Sequence, residues 1–218
     1  MVKMTNIIKI PPYKKAIKET IQILKKGGNI IYPTDTVYGI GADATNKNAV
    51  LKISKIKKRK KQTYSVIFHS IKEIKKYAFV NKKQERIIKK LVPGPYTFLL
   101  GAKKRLAVVR KNIIGIRIPN NKFCLMLAKQ FTKPIVSTSA NLSGKKEKSN
   151  IKKIEQEIKN KVDLIIDGGS CKYKKASTII DLTDASNIKI MREGAGLKKL
   201  KSILEEKNAT ANRKNKSQ

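Results

Sequence analysis

Apolar residues recur along the chain with two different spacings, which predict helices and strands respectively. Ile17, Ile21 and Leu24 lie at positions i, i+4 and i+7 of the segment Tyr13 to Lys26, a spacing that places them on one face of a helix. Two consecutive glycines then end this helix. The same reasoning predicts further helices at Asn48 to Ile56, Ile71 to Tyr77, Lys82 to Leu91, Phe123 to Phe131, Ile151 to Ile158 and Leu197 to Leu204.

Short runs of β-branched and aromatic residues predict buried strands between these helices. The runs are Asn6 to Ile10, Asn29 to Tyr32, Ser65 to Phe68, Tyr96 to Leu100, Ile113 to Ile118, Ile135 to Ser137, Leu164 to Asp167, Ser177 to Asp181 and Ile188 to Met191. Several of these strands follow one another directly, which favours an α/β fold with a mixed sheet over a regular doubly wound one.

Chain length and composition indicate one domain. A chain of 218 residues with 40% hydrophobic residues can form a single domain with a substantial core. We expect this domain to span residues 1–206. Lys207 to Gln218 show no apolar pattern and are expected to form a disordered basic tail.

Two of the predicted strands run into segments rich in hydroxyl groups. Tyr32 to Gly41 contains Pro33, which cannot donate to a strand ladder, and two glycines that allow close approach of the backbone. Pro134 to Gly144 is a β-branched run that breaks into hydroxyls, an amide and a glycine. Such segments can bind a small polar ligand; alternatively, the first is an ordinary turn capped by threonine and aspartate.

Positive charge dominates the composition. Lysine and arginine number 51 against 15 aspartates and glutamates, which gives a formal net charge of +36 spread along the whole chain. Such a field favours anionic partners, among them RNA and nucleotides. The abundance of Ile, Asn and Lys would also follow from a strongly A+T-biased genome, so a solvated surface without a partner is an equal alternative.

The scarcity of cysteine and histidine excludes several kinds of site. Cys124 and Cys171 are too few and too far apart for a disulfide framework or a Cys-x-x-Cys zinc site, and His69 is the only histidine. The chain has no apolar window long enough for a membrane span and no apolar core of a signal peptide near Met1, so we expect a cytoplasmic location. A Walker-type loop and a recognisable Ser-His-Asp arrangement are also missing.

The remaining candidate groups are hydroxyls, amides and basic side chains, which bind and orient anions. Lys57 to Lys61 follow a predicted helix, where a basic run is usually a solvated helix end. Arg117 lies near the end of a predicted strand, and its planar guanidinium suits a carboxylate or a phosphate.

Seven short motifs together resemble the YrdC-like family of threonylcarbamoyl-AMP synthases. They occur in the family's order and cover about Ile7 to Gly196. The motifs are Pro33 to Gly39, Lys57 to Lys61, Pro93-Gly94-Pro95, Arg117-Ile118-Pro119, Ser139 to Gly144, Ser177-Thr178-Ile179 and Arg192-Glu193-Gly194.

The resemblance implies a fold, a reaction and a set of binding residues. The fold is a twisted mixed sheet flanked by helices, with a central cleft. The reaction joins L-threonine, bicarbonate or CO2, and ATP into threonylcarbamoyl-AMP and pyrophosphate, with Mg²⁺ travelling with ATP and no metal bound by the protein itself. The residues implied for threonine and its carbamate are Thr34, His69, Arg117, Ser139 and Ser177; those for ATP are Lys57, Arg59, Asn141, Ser149 and Arg192, with Tyr38 in the pocket wall.

One motif departs from the family's pattern. The family continues its Lys-x-Arg element with Arg-Pro, whereas here Lys60 and Lys61 follow Arg59. Lys57 and Arg59 fit the pattern as written, but counting back from His69 places Lys58 and Lys60 in the two basic positions. Both registers stay open at this point.

The resemblance also implies partners and leaves other functions to weigh against it. The product would pass to the complex that transfers threonylcarbamoyl to tRNA, and direct tRNA binding would suit the positive charge. One alternative is a non-catalytic RNA-binding module that uses its basic face. Another is carbamoyl transfer of the kind done by related domains in hydrogenase maturation, which sit in much longer chains.

Overall fold

The fold is built on one mixed β-sheet with helices on both faces. The computed structural model describes residues 5–58 and 64–205, and the predicted tail Lys207 to Gln218 lies outside them. The strands are β1 Asn6–Lys9, β2 Ile30–Tyr32, β3 Gly39–Gly41, β4 Ser65–Ile67, β5 Tyr96–Gly101, β6 Ile113–Arg117, β7 Ile135–Ser139, β8 Leu164–Asp167, β9 Thr178–Asp181 and β10 Lys189–Arg192. The helices are α1 Tyr13–Lys25, α2 Lys47–Ile56, α3 Ile71–Ile74, α4 Lys82–Leu91, α5 Lys122–Phe131, a 3₁₀ turn at Ile151–Lys153, and α6 Gln156–Lys159. Residues 197–205 are also helical.

Within the described chain, the ten strands form one sheet in the order β1-β8-β2-β3-β7-β4-β6-β5-β9-β10. β1 with β8, β8 with β2, β4 with β6, and β5 with β9 are parallel pairs. The other five neighbouring pairs are antiparallel. The predicted α/β class with a twisted mixed sheet flanked by helices is therefore confirmed.

Alternate residues of the central strands belong to two separate apolar clusters. Ile30 and Tyr32 of β2 pack with α1 and α5, whereas Ile31 between them packs with the cluster that includes α2 and α4. Because successive strand residues point to opposite faces, both faces of the sheet are covered. None of the described helices is long and apolar enough to cross a membrane.

Three local predictions were wrong. Gly39–Gly41 were assigned to a loop but form β3, since β2 and β7 pair with them on either side. The helix expected over Ile71 to Tyr77 ends at Ile74, and the one expected over Ile151 to Ile158 is split into two short pieces.

Gly41 shows why glycine is required in β3. A Cβ at this position would lie 2.7 Å from the ring of Tyr32, whose side chain is fully buried beside it. Gly41 therefore allows β3 to pass directly over the ring of Tyr32.

Candidate functional site

A cleft of about 650 Å³ lies over the centre of the sheet. Its floor contains one row of paired residues from four adjacent strands: Ser137 of β7, Ser65 of β4, Gly115 of β6 and Leu99 of β5. Gly115 adds no side chain to this row. The volume suits a ligand of the size of a nucleotide or amino acid.

The pairing of β3 with β7 brings the two hydroxyl-rich segments together. Gly39 lies opposite Ser139, and the backbone N–H of Ala140 donates to the carbonyl of Tyr38 at 2.8 Å. Segments separated by a hundred residues in the sequence thus form one wall of the cleft. Thr34 and Ser139 both line it.

Thr34 caps the first segment as well as lining the cleft. Its hydroxyl donates to the carbonyl of Val37 at 2.6 Å and accepts from the backbone N–H groups of Thr36 and Val37 at 3.1 and 3.3 Å. The alternative of a threonine-capped turn is therefore correct as local structure. The turn also fixes the direction in which the first hydroxyl-rich segment faces the cleft.

Arg117 is held in the cleft floor by a buried carboxylate. Its Nη2 donates to Asp35 Oδ1 at 2.7 Å and to the hydroxyl of Thr36 at 3.1 Å. The other oxygen, Asp35 Oδ2, accepts from the backbone N–H of Asn120 at 3.0 Å. Arg117 lines the cleft, and its buried Nε has no hydrogen-bond partner among the residues that the structure describes. A buried guanidinium with an unused N–H is suited to an oxyanion ligand.

Lys57 lies behind the second segment rather than in the cleft. It is 2% exposed, and its ammonium donates to the carbonyls of Ser139 and, at 2.7 Å, of Asn141. The Asn141 amide donates to the carbonyls of Leu142 and Lys145 at 2.8 and 2.6 Å. Both side chains thus shape the loop that follows β7.

A second wall comes from Ser177, which directly precedes β9, and from Arg192 at the end of β10. The hydroxyl of Ser177 lies 2.8 Å from that of Thr97 and accepts from Arg192 Nη2 at 3.1 Å. Arg192 Nε also donates to the carbonyl of Ser177 at 3.0 Å. Ser177 and Arg192 therefore present a hydroxyl and a guanidinium side by side.

Burial controls the titration of the phenol and thiols near the cleft. Tyr38 donates to the carbonyl of Gly169 at 2.8 Å and accepts from the N–H of Gly168 at 3.0 Å, and burial raises its pKa. Burial likewise raises the pKa of the Cys171 thiol to about 11 and that of Cys124 well above its ordinary value. These three groups are therefore neutral near pH 7 and do not supply an activated nucleophile.

The structure separates the predicted site residues into two groups. Six of them line the cleft: Thr34, Tyr38, Arg117, Ser139, Ser177 and Arg192. Four do not: Lys57, His69, Asn141 and Ser149. Arg59 lies outside the described residues, as does Lys60 of the alternative register.

Sequence reasoning missed several residues of the cleft. Asp35, Thr97 and the basic pair Arg110 and Lys111 belong to it or hold it together. Of these residues, only Asp35 could have been identified from the sequence, because it lies inside the first motif. Arg110 and Lys111 lie in a segment without a motif.

The chemistry available in the cleft is recognition of anions. Four cationic side chains and a set of hydroxyls face it, together with the carboxylate of Glu147. In residues 5–58 and 64–205, no group of three His, Cys, Asp or Glu side chains is arranged to hold a metal ion. Such a site can act on reactive substrates by positioning them and neutralising charge.

Comparison with known proteins identifies the same family that the sequence motifs resemble. The model of the Sua5/YciO/YrdC family, described as "Telomere recombination", matches residues 22–194. A Methanocaldococcus jannaschii protein with the provisional name threonylcarbamoyl-AMP synthase is 42% identical over 183 residues, which are 81% of this chain and 86% of that protein.

Two crystal structures share the fold and most of the chain. Escherichia coli YciO superposes with a TM-score of 0.79 at 33% identity and covers 88% of this chain and 97% of its own. Pyrococcus abyssi Sua5 complexed with L-threonine superposes with a TM-score of 0.80 at 26% identity over 88% of this chain. This chain spans only 58% of the length of that Sua5 chain. Motifs, fold and similarity agree, and the chain belongs to the Sua5/YciO/YrdC family.

Proposed function

We propose that the protein synthesises threonylcarbamoyl-AMP. The amine of L-threonine takes up bicarbonate as a carbamate with loss of water. A carbamate oxygen then attacks the α-phosphate of ATP, and pyrophosphate leaves. The observation that carries the proposal is the buried Arg117, with its unpartnered Nε, on the floor of a cleft whose walls are hydroxyls. The names of relatives and the Sua5 complex with L-threonine support it.

The amino-acid end is assigned to the part of the cleft around Arg117. Asp35 occupies one side of the guanidinium, so the carboxylate or carbamate of the substrate would meet the remaining N–H groups. Ser139 lines the same wall and would direct its hydroxyl at the substrate, while Thr34 would hold the turn that forms this wall. A charge-assisted hydrogen bond of this kind contributes about 1.5 to 3 kcal/mol.

The nucleotide end is assigned to Ser177 and Arg192 on the opposite wall. Arg192 would neutralise charge that develops on the phosphate during the displacement. Lys57 and Asn141 would act by holding the loop after β7. The roles of His69, Ser149 and Arg59 rest on the family resemblance alone. Mg²⁺ would arrive bound to ATP, as is usual for nucleotide substrates.

The product is a mixed anhydride, and it would pass to an enzyme that modifies an adenosine of tRNA. We also propose the cytoplasmic location that is expected from the sequence. RNA binding without catalysis is the competing function. The two differ in what they need from the cleft, since only the enzyme needs Thr34 and Ser139.

The test is pyrophosphate release from ATP, measured with and without L-threonine and bicarbonate. We expect release to require both, and to be lost in Thr34→Val and Ser139→Ala. Thr183→Val is the matched control, because its hydroxyl bonds to Asp181 on an exposed turn that does not line the cleft. Equal release without an amino acid would refute the proposal. Unchanged RNA affinity in a Thr34→Val protein that releases no pyrophosphate would not refute it, because RNA binding does not depend on the catalytic cleft.

A further inference from the structure

A surface outside the cleft is formed where the segment after α3 pairs with the end of β5. The two chains meet in an isolated antiparallel bridge. The backbone N–H of Phe79 donates to the carbonyl of Gly101 at 2.8 Å, and the backbone N–H of Lys103 donates to the carbonyl of Tyr77 at 2.8 Å. These bonds fix the backbone from which the side chains of the surface project.

Phe79 is the most exposed large hydrophobic side chain of the described residues. It is 60% exposed, against 57% for Met191 and 52% for Ile7. Gly101, opposite Phe79 in the pairing, adds no side chain, and a Cβ there would lie 3.5 Å from the phenylalanine ring. The ring therefore lies against the glycine and presents the rest of its surface to solvent.

Two consecutive lysines place their ammonium groups over two aromatic rings. Lys103 Nζ lies 5.3 Å from the centroid of the Phe79 ring, and Lys104 Nζ lies 4.9 Å from that of Tyr77. Both distances are within the range of a cation–π contact. Tyr77 is held in turn by the ring of Phe68 at 5.4 Å. We call Tyr77, Phe79, Lys103 and Lys104 the aromatic–lysine surface.

The positive charge of these two lysines is not neutralised by carboxylates. Carboxylates beside the surface are paired with other lysines: Glu73 with Lys76, and Glu85 with Lys75 and Lys89. Lys103 and Lys104 form no ion pair with any residue of ranges 5–58 and 64–205, and Lys103 Nζ donates only to the backbone carbonyl of Lys75 at 3.1 Å. The two ammonium groups are therefore available to an anionic ligand.

A nucleotide of a single strand supplies a partner for both kinds of group. Its unpaired base can stack on an exposed aromatic ring, and its phosphate can take an ammonium group that otherwise lies over a ring. An acidic peptide would meet the lysines but would bring no flat face for Phe79. A duplex would offer phosphates only, because its bases are stacked on one another.

We propose that the aromatic–lysine surface binds unpaired bases of single-stranded RNA. Phe79 is the ring on which a base stacks, and Lys103 and Lys104 contact the phosphates on either side. This inference does not depend on the proposed synthesis of threonylcarbamoyl-AMP, since none of the four side chains lines the cleft.

The experiment measures the affinity of the full chain for a short labelled single-stranded RNA and for the same sequence as a duplex, by fluorescence anisotropy at one salt concentration. In Phe79→Ala we expect the dissociation constant of the single strand to rise about ten-fold, the loss of one stacked base, and that of the duplex to change less than about two-fold. Phe79→Trp should retain the affinity. In Lys104→Gln the slope of log affinity against log salt should decrease by about one.

Ile7→Ala is the matched control, because Ile7 is also an exposed apolar residue but lies on β1, the strand at one edge of the sheet. Unchanged single-strand affinity in Phe79→Ala, an equal loss for the duplex, or an equal loss in Ile7→Ala would each overturn the proposal. So would a loss in Phe79→Ala that is confined to binding of polyglutamate, which would assign the surface to an acidic protein partner.

The surface and the proposed function can fail separately. Phe79→Ala should release pyrophosphate with threonine and bicarbonate as fast as the unmodified protein, and a slower release would overturn a binding role that is separate from the cleft. A protein that releases no pyrophosphate, yet binds single-stranded RNA through Phe79, would retain the surface and lose the function.

Discussion

Asp35 and Arg117 form a buried ion pair that joins the first motif to the end of β6. Arg117 Nη2 lies 2.7 Å from Asp35 Oδ1, and the two side chains are 7% and 0% exposed. Since the second oxygen of Asp35 accepts from the backbone of Asn120, the carboxylate is fixed on both sides. The pair therefore sets the orientation in which Arg117 meets a ligand.

Asp35→Asn should weaken threonine binding and lower stability together. The asparagine keeps the shape of the side chain but leaves the guanidinium of Arg117 buried without its counter-charge. We expect the free energy of unfolding to fall by about 3 kcal/mol, at the low end of the cost of breaking a buried pair. Denaturant unfolding and threonine calorimetry on the same protein measure both effects.

Asp43→Asn separates the two effects. Asp43 is also buried, but its partner Lys133, at 3.0 Å, has a side chain that is 51% exposed. Asparagine keeps the Oδ1 that accepts from the N–H and the hydroxyl of Thr45, so this replacement should cost less than that of Asp35. It should leave threonine binding unchanged. If threonine affinity falls equally in both variants, Asp35 acts only through general stability.

Arg117→Lys should weaken threonine binding and spare ATP binding. Lysine can still pair with Asp35, but it loses the planar group that offers further N–H donors to a carboxylate. The threonine dissociation constant should rise by about one to two decades, which is the value of one charge-assisted hydrogen bond. Separate titrations of threonine and ATP measure it, and Arg86→Lys on the exposed face of α4 is the control. A loss confined to ATP would remove Arg117 from the amino-acid end.

Lys57→Met should lower stability through the loop that follows β7. The variant keeps an apolar stem but removes the donor to the carbonyls of Ser139 and Asn141, and an unsatisfied buried carbonyl costs about 1 to 3 kcal/mol. Lys58→Met is the control, because Lys58 is 62% exposed and pairs with the surface residue Glu157. Its effect should stay within about 0.5 kcal/mol. Unchanged stability with weaker ATP binding in Lys57→Met would instead indicate a direct contact with phosphate.

Alkaline pH should destabilise the fold through Cys171. Burial raises the pKa of this thiol from 9.0 to about 11, so the folded protein keeps a proton that the unfolded chain releases. The stabilisation is complete below pH 9 and is lost as the pH rises towards 11. Two pKa units correspond to about 2 to 3 kcal/mol. Urea unfolding should be measured across this pH range in Cys171→Ala and in the unmodified protein. The lysines titrate identically in the two, so the free energy of unfolding should fall less in Cys171→Ala. Parallel losses in the two proteins would contradict the assignment.

Local patterns were sufficient for most of the elements. α4 has the predicted bounds Lys82–Leu91, because its apolar stripe, its Asn81 cap and the following proline all act within a few residues. The strand at Leu164–Asp167 was also predicted in full. Gly39–Gly41 was not, because three residues with two glycines have no strand propensity of their own and become β3 only between two neighbours.

The sequence by itself determined the type of fold, the family resemblance and the residue types of the cleft, because motifs and apolar spacing are local properties. Only the tertiary structure decided which of those residues meet. It placed Gly39 opposite Ser139, turned Lys57 towards backbone carbonyls, and added Arg110 and Lys111 to the same cleft as Arg117. The physical reason is that strand pairing and the buried hydrogen bonds of charged side chains join residues from 80 to 100 positions apart. The separation is 82 between Arg117 and Asp35 and 84 between Lys57 and Asn141. Contacts over such separations depend on the order of strands in the sheet, which the spacing of residues along the chain does not specify.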